Sequence, residues 1–266
     1  MANLKSLAQG GIARLHRAAF SRDLPDRIAI YFHELEAHQR AAFRDAIRAL
    51  LDRGYRTVDP AAYVAGRPGE QLLFVSFDDN YRSWHGSRGV LDAVGIRATF
   101  YTNTLPFRDR CSEAAIARYF DRIAFRGECV SLSKAETKEI AADGHTIGCH
   151  SHTHFRVSDL PETAWDAEIR QSKVMLEDLT GREVADFAFP YGMRRCFTPA
   201  QHAYCRSIGF RTIAAAIPAM LHVGIEPGAY IHRSGWRLAD SVSANIADLA
   251  VDGRLFERWT GRSAIG

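Results

Sequence analysis

The sequence is poor in the features that tie a chain to a membrane, to disulfides or to nucleic acid. Nowhere do about 18 apolar residues follow one another, so no membrane-spanning helix is expected. The opening stretch MANLKSLAQGGIARLHRAAFSRD lacks the unbroken apolar segment of a secretory leader. Cys111, Cys129, Cys149, Cys196 and Cys205 are odd in number and scattered, with no Cys-x-x-Cys pair. That argues against a disulfide framework or a thiolate zinc site and favours a reducing, cytoplasmic compartment. A formal charge of +3 over 266 residues leaves no surplus of the kind that binds nucleic acid. Internal repeats, low-complexity tracts and a linker are missing too. What remains is a chain long enough for one α/β domain with a substantial core.

Charge is uneven only at the start. Lys5, Arg14, Arg17 and Arg22 all precede the first acidic residue, Asp23, and alternate with Leu4, Leu7, Ile12 and Leu15. Residues 1–26 are expected either to cover one end of the domain or to rest on an anionic membrane surface as a basic amphipathic segment. Residues 27–266 are expected to form the main domain.

Within it, short apolar runs alternate with helical patterns, which predicts βα units around a largely parallel sheet. The strand candidates are 27–33, 71–79, 96–102, 145–151, 185–192, 210–216 and 230–236. Phe43, Ile47, Leu50 and Leu51 predict a helix over 36–54, stopped by Gly54. Ser133 with Glu136 and Thr198 with Pro199 mark two further helix starts, and Trp165, Ile169, Leu176 and Leu179 a helix over 162–180 closed by Gly181. Residues 103–132 show weak periodicity apart from Ile116, Tyr119, Phe120 and Ile123, and read as an insertion beside the sheet that either shapes access or is a solvated elaboration.

Ligands of α/β folds gather at the carboxyl ends of strands, and three such ends carry unusual residues. In FVSFDDN, Asp78 and Asp79 are adjacent and need a cation or a proton between them if buried, while Asn80 is suited to positive φ. In IGCHSHTHF, three histidines fall within five residues. In an extended chain His150 and His154 stand ~13 Å apart. A helical turn brings an i,i+4 pair to ~5–6 Å, where both reach one ion and His152 points elsewhere. In FAFPYG, the turn Pro190-Tyr191-Gly192 either presents a backbone N–H to an oxyanion or merely ends the strand.

In this order SFDDN, HSHTH and FPYG resemble the polysaccharide deacetylase family of carbohydrate esterases, over roughly residues 27–236. The resemblance implies an irregular (β/α) barrel and metal-dependent removal of an N-acetyl group from an amino sugar. It implies Asp78 as general base, and Asp79, His150 and His154 as ligands of one divalent metal, Zn2+ before Co2+, Ni2+ or Mn2+. It further implies Tyr191 as the oxyanion-stabilising residue through its N–H, Pro190 in the substrate-binding turn, and an N-acetylated carbohydrate as partner. Two departures stand out. The family arginine that orients the base is replaced by Asp186, which leaves Arg233 to supply a guanidinium, and Arg233 is placed with the substrate contacts. The usual general-acid context is missing, with His232 preferred over His222, and His33 is a candidate substrate contact.

Three other chemistries fit parts of the pattern: a hydrolase of small cyclic amides with the same centre, a mononuclear iron oxygenase with a two-His, one-carboxylate ligand set, and a non-catalytic glycan-binding homologue.

Overall fold

The computed structural model describes residues 23–217, 225–226, 230–251 and 258. The basic N-terminal segment up to Arg22 and the candidate His222 lie outside the described residues.

Each strand candidate becomes a strand, generally trimmed at its ends. The strands are β1 (Arg27–Phe32), β2 (Arg56–Thr57), β3 (Leu72–Asp79), β4 (Thr99–Thr102), β5 (Thr146–Cys149), β6 (Asp186–Ala188), β7 (Thr212–Ala215), β8 (Ile225–Glu226), β9 (Tyr230–His232) and β10 (Ser234–Gly235). They hydrogen-bond in the order β10-β1-β3-β4-β5-β6-β7-β9-β8, with β2 on β3. Every pairing is parallel except β8 with β9. The last strand candidate is broken at Arg233, and the break has a topological meaning. β9 pairs with β7 and β10 with β1, so the single segment 230–235 bridges β7 and β1 and leaves a nearly closed barrel, with β8 added outside β9.

Parallel strands covered on both sides read as continuous apolar runs. β3, LLFVSFDD, is buried at every position. Phe77 stacks on Phe100 at 4.9 Å and on Phe32 at 5.4 Å along the sheet, and Phe43 of the helix Arg40–Leu51 meets Phe32 at 5.0 Å, joining the helical layer to it. Burial of each such ring contributes ~1.5–3 kcal/mol.

The helices form where the caps predict. The helix expected over 36–54 is shorter, a 3-10 turn at Ala37–Gln39 followed by Arg40–Leu51, which buries Phe43, Ala46, Ile47 and Leu50, and the Ser133/Glu136 capping box opens Lys134–Ala142. Thr198 caps Pro199–Ser207 with Gln201. The helix expected over 162–180 is not uniform: a π turn at Asp166–Arg170 separates Glu162–Trp165 from Gln171–Thr180. Residues 103–132 carry the helix Glu113–Arg122 and pack Phe107, Tyr119, Phe120 and Leu132 into the main core.

Candidate metal centre and catalytic cleft

The carboxyl ends of β1, β3 and β5 and the turn after β6 open on one cleft of about 240 Å³. It is lined by Tyr31, His33, Glu34, Asp78, Asp79, Tyr81, Ile123, Ala124, Phe125, His150, His154, Tyr191 and Ala216. Backbone conformation here is unusual. Among the described residues the non-glycine positions with positive φ are Asp79, at the end of β3, and Ala124, Ser151, His154 and Tyr191, on loops around the cleft. Such conformations cost ~1–3 kcal/mol each and persist where surrounding structure imposes them.

Asp79, at +82°, takes the left-handed conformation expected of Asn80. Asn80 instead is buried and ties loops together, donating to the Asn103 carbonyl (2.8 Å) and accepting from the Leu132 N–H (2.9 Å). The histidine loop also differs from the expected helical turn. Ser151 at +67° and His154 at +62° fold the chain back after β5, which brings the two rings to 5.0 Å between centroids.

Asp79, His150 and His154 converge, with one ligand atom from each within 4.8 Å of the others, all buried. Asp79 Oδ1 lies 3.0 Å from His154 Nε2 and 3.5 Å from His150 Nε2. The other carboxylate oxygen accepts from Tyr81 OH (3.1 Å). His150 Nδ1 bonds the Ala188 carbonyl (2.8 Å), which fixes Nδ1 as the donor and turns Nε2 inward. Burial opposes ionisation of Asp79, but the facing His154 and His150 outweigh it and hold its pKa well below the usual carboxylate range. Burial lowers the His154 pKa, so neutral imidazole, the ligand form, is favoured. Two imidazole nitrogens and one carboxylate oxygen on a buried wall suit a four-coordinate divalent cation with an open position.

Asp78 faces the same cleft and is held from behind. Arg233 Nη1 donates to Oδ1 (2.6 Å) and Nη2 to Oδ2 (2.8 Å), while Nη1 also reaches Ser76 Oγ (2.9 Å). Arg233 is 0 % exposed and absent from the cleft wall, which corrects its placement as a substrate contact. It occupies the seam between β9 and β10, and it supplies the guanidinium that Asp186 cannot. Asp186 accepts from Thr212 Oγ1 (2.6 Å), and burial raises its pKa.

Two further expectations shift. His232 is 0 % exposed and is not among the residues that line the cleft. His33 is exposed on the cleft wall and acts electrostatically on Asp79. Pro190 is buried and shapes the turn rather than the wall, whereas Tyr191 is 39 % exposed and its ring meets His154 at 4.7 Å. His152 turns away, its Nδ1 bonded to Thr104 Oγ1 (2.8 Å).

Tyr81, Asn103 and Tyr119 escaped sequence reasoning. Asn103 donates to the carbonyls of His150 and Ser151 and accepts from Tyr119 OH (2.8 Å), fastening the histidine loop to β4 and to the helix Glu113–Arg122. No local pattern marks Asn103 and Tyr119, since their partners lie 16 to 48 positions away, whereas Tyr81 reaches Asp79 only two positions before it.

Comparison with known proteins agrees with this geometry. The family model described as polysaccharide deacetylase matches residues 65–213. "Putative polysaccharide deacetylase YxkH" of Bacillus subtilis (strain 168) is 23% identical over 165 residues, covering 60% of this chain and 50% of that protein. The chain thus spans about half the length of that curated relative. Among solved structures, Streptococcus pyogenes deacetylase PplD in complex with acetate superposes with TM-score 0.62 at 14% identity, covering 86% of this chain and 99% of that one. IcaB from Ammonifex degensii gives 0.61 at 21% identity, covering 84% and 96%. At these identities the structures establish a shared barrel fold.

Proposed function

The chain belongs to the polysaccharide deacetylase family, and from that premise we propose that it is a metal-dependent hydrolase removing the N-acetyl group from an amino sugar or a glycan precursor. The observation that carries the reading is the meeting of Asp79, His150 and His154 beside Asp78 in one cleft. Asp79 Oδ1 and the two Nε2 atoms would hold the cation. When bound, a divalent ion polarises the acetyl carbonyl and acidifies water.

The remaining work falls to the chain itself. Asp78 is the general base. A carboxylate has about four lone-pair sites, and Arg233 uses one on each oxygen, which leaves acceptor capacity for the proton of the attacking water. Tyr191, turned by its left-handed backbone into the cleft wall, offers its N–H to the developing oxyanion. His33 lines the same cleft as Asp78 and protonates the leaving amine, the role for which the sequence favoured the buried His232. PplD was captured with acetate, the acid that deacetylation releases.

The paired carboxylates weigh against oxygenase chemistry, which has no use for a second aspartate held ready as a base. The intact metal and base residues likewise weigh against a non-catalytic binding module. Acetate release from N-acetylglucosamine oligomers, measured beside hydrolysis of small cyclic amides, separates the remaining alternatives. Turnover of the oligomers supports the proposal; turnover of the amides alone replaces it.

A further inference from the structure

Arg233 is not held by Asp78 and Ser76 alone. Its guanidinium carbon lies 4.9 Å from the centroid of the Tyr31 ring and 5.0 Å from that of Tyr101. β1 and β4 flank β3, so the two rings approach from either side of the strand that carries Asp78. Arg233 Nε has no hydrogen-bond partner among the described residues. The faces of the tyrosines stabilise the buried charge through their π electrons without presenting an acceptor that competes with Asp78 for the Nη hydrogens.

The register explains how two large rings fit there. Tyr101 is paired with Asp78 on one side and with Gly148 on the other. Tyr31 is paired with Ser76 on one side and with Gly235 on the other. Paired residues of neighbouring strands share a face, so each tyrosine stands between a polar residue of β3 and a glycine. A Cβ at Gly148 would lie 2.5 Å from Tyr101 Cδ1, and one at Gly235 would lie 3.1 Å from Tyr31 Cζ. The rings therefore occupy the space that a side chain on the outer strand would need.

We propose that these two tyrosine–glycine pairs are the positioning apparatus of the base: Tyr31 and Tyr101 fix the Arg233 guanidinium, and Arg233 fixes the orientation of Asp78. The inference rests on the reading of Asp78 as general base. All of these are positioning residues; Tyr101 in particular is fully buried and touches no substrate.

The test uses the full-length, metal-loaded protein with Tyr101→Leu, Tyr101→Phe and Gly235→Ala. In Tyr101→Leu kcat falls about 10²-fold, the size of effect that misplacing a reacting group produces, while KM and metal content stay at wild-type values. Tyr101→Phe, which keeps the ring face, recovers the activity. A second readout needs no turnover: NMR of the Arg233 guanidinium, assigned by its loss in Arg233→Lys. Slow rotation gives separate Nη signals in wild type and in Tyr101→Phe, and these merge in Tyr101→Leu. If Tyr101→Leu fails to fold, Gly235→Ala takes its place, with the same direction of change in kcat and in the Arg233 signals. Wild-type kcat together with unchanged Arg233 signals in Tyr101→Leu would overturn the proposal, as would a Tyr101→Phe variant as impaired as Tyr101→Leu. A wild-type protein that releases no acetate would overturn the function of Asp78 instead, and the NMR signals would still decide whether the rings hold Arg233.

Discussion

Asp79 divides its two oxygens between tasks: Oδ1 faces the histidines, and Oδ2 is held by Tyr81. Partners of this kind orient a ligand and typically account for 10–100-fold in metal affinity. Tyr81→Phe is therefore expected to weaken Zn2+ binding by about that factor, measured by competition with a chelating dye; unchanged affinity would show that the Tyr81 hydroxyl does not orient Asp79. The buried pair of Asp78 and Arg233 makes a different prediction. Arg233→Met strands a carboxylate in the barrel and should lower stability by ~3–5 kcal/mol in urea denaturation. At this scale the sequence was informative where residues act through local motifs. SFDDN and HSHTH gave Asp78, Asp79, His150 and His154. Arg233, expected to supply the missing guanidinium and also to contact substrate, pairs with Asp78 and is buried, and that burial was not legible because exposure depends on how the barrel closes. Asn103 left no trace, since it acquires its role only through partners brought in by the fold, and Tyr81, though two residues from Asp79, has no residue type or spacing that sets it apart from a packing tyrosine.

Single elements carry the acid sensitivity. His145, at the start of the approach to β5, accepts from the Ala98 N–H through Nδ1 (3.2 Å), and burial pushes its pKa from 6.5 down to about 4. The unfolded chain takes up this proton first, so its contribution to stability is complete above pH 6.5 and declines as pH falls toward 4. Glu136 in the helix Lys134–Ala142 adds a second window. Burial opposes its charge, but Arg108, the Ser133 N–H and Arg82 outweigh that and lower its pKa from 4.5 to about 2. Its contribution is complete above pH 4.5 and is lost as pH drops through 2. Urea denaturation across this range should show stability falling through both windows, and His145→Gln should flatten the upper one; an unchanged slope there would contradict the assignment. The helix ends at Ser133, Thr198 and Gly181 were legible because capping boxes and terminal glycines are local signals. The reversal after β5 was not, because positive φ at Ser151 and His154 is imposed by the Asn103 hydrogen bonds and by packing against neighbouring loops.

For the whole molecule, the segment that bridges β7 and β1 also carries the partner of Asp78. Segment 230–235 links β7 to β1 and delivers Arg233 to Asp78 at the seam, while the triad draws on β3 and the loop after β5. Metal binding should therefore stabilise the fold by mass action, ~2.7 kcal/mol at a free concentration 100 times Kd. Thermal unfolding with added Zn2+ should show a rise that Asp79→Ala abolishes, and a rise that survives in that variant would place the ion elsewhere. The alternation of strands and helices made the barrel legible in the sequence, but not the order of closure, which depends on one residue interrupting the last strand. The central claim, that Asp78 works as the base beside the metal triad, is tested most directly by acetate release from N-acetylglucosamine oligomers with zinc-loaded wild type and Asp78→Asn. The expected result is release by wild type and a rate about 10²–10⁴-fold lower in Asp78→Asn at equal metal content; equal rates in the two proteins would contradict it.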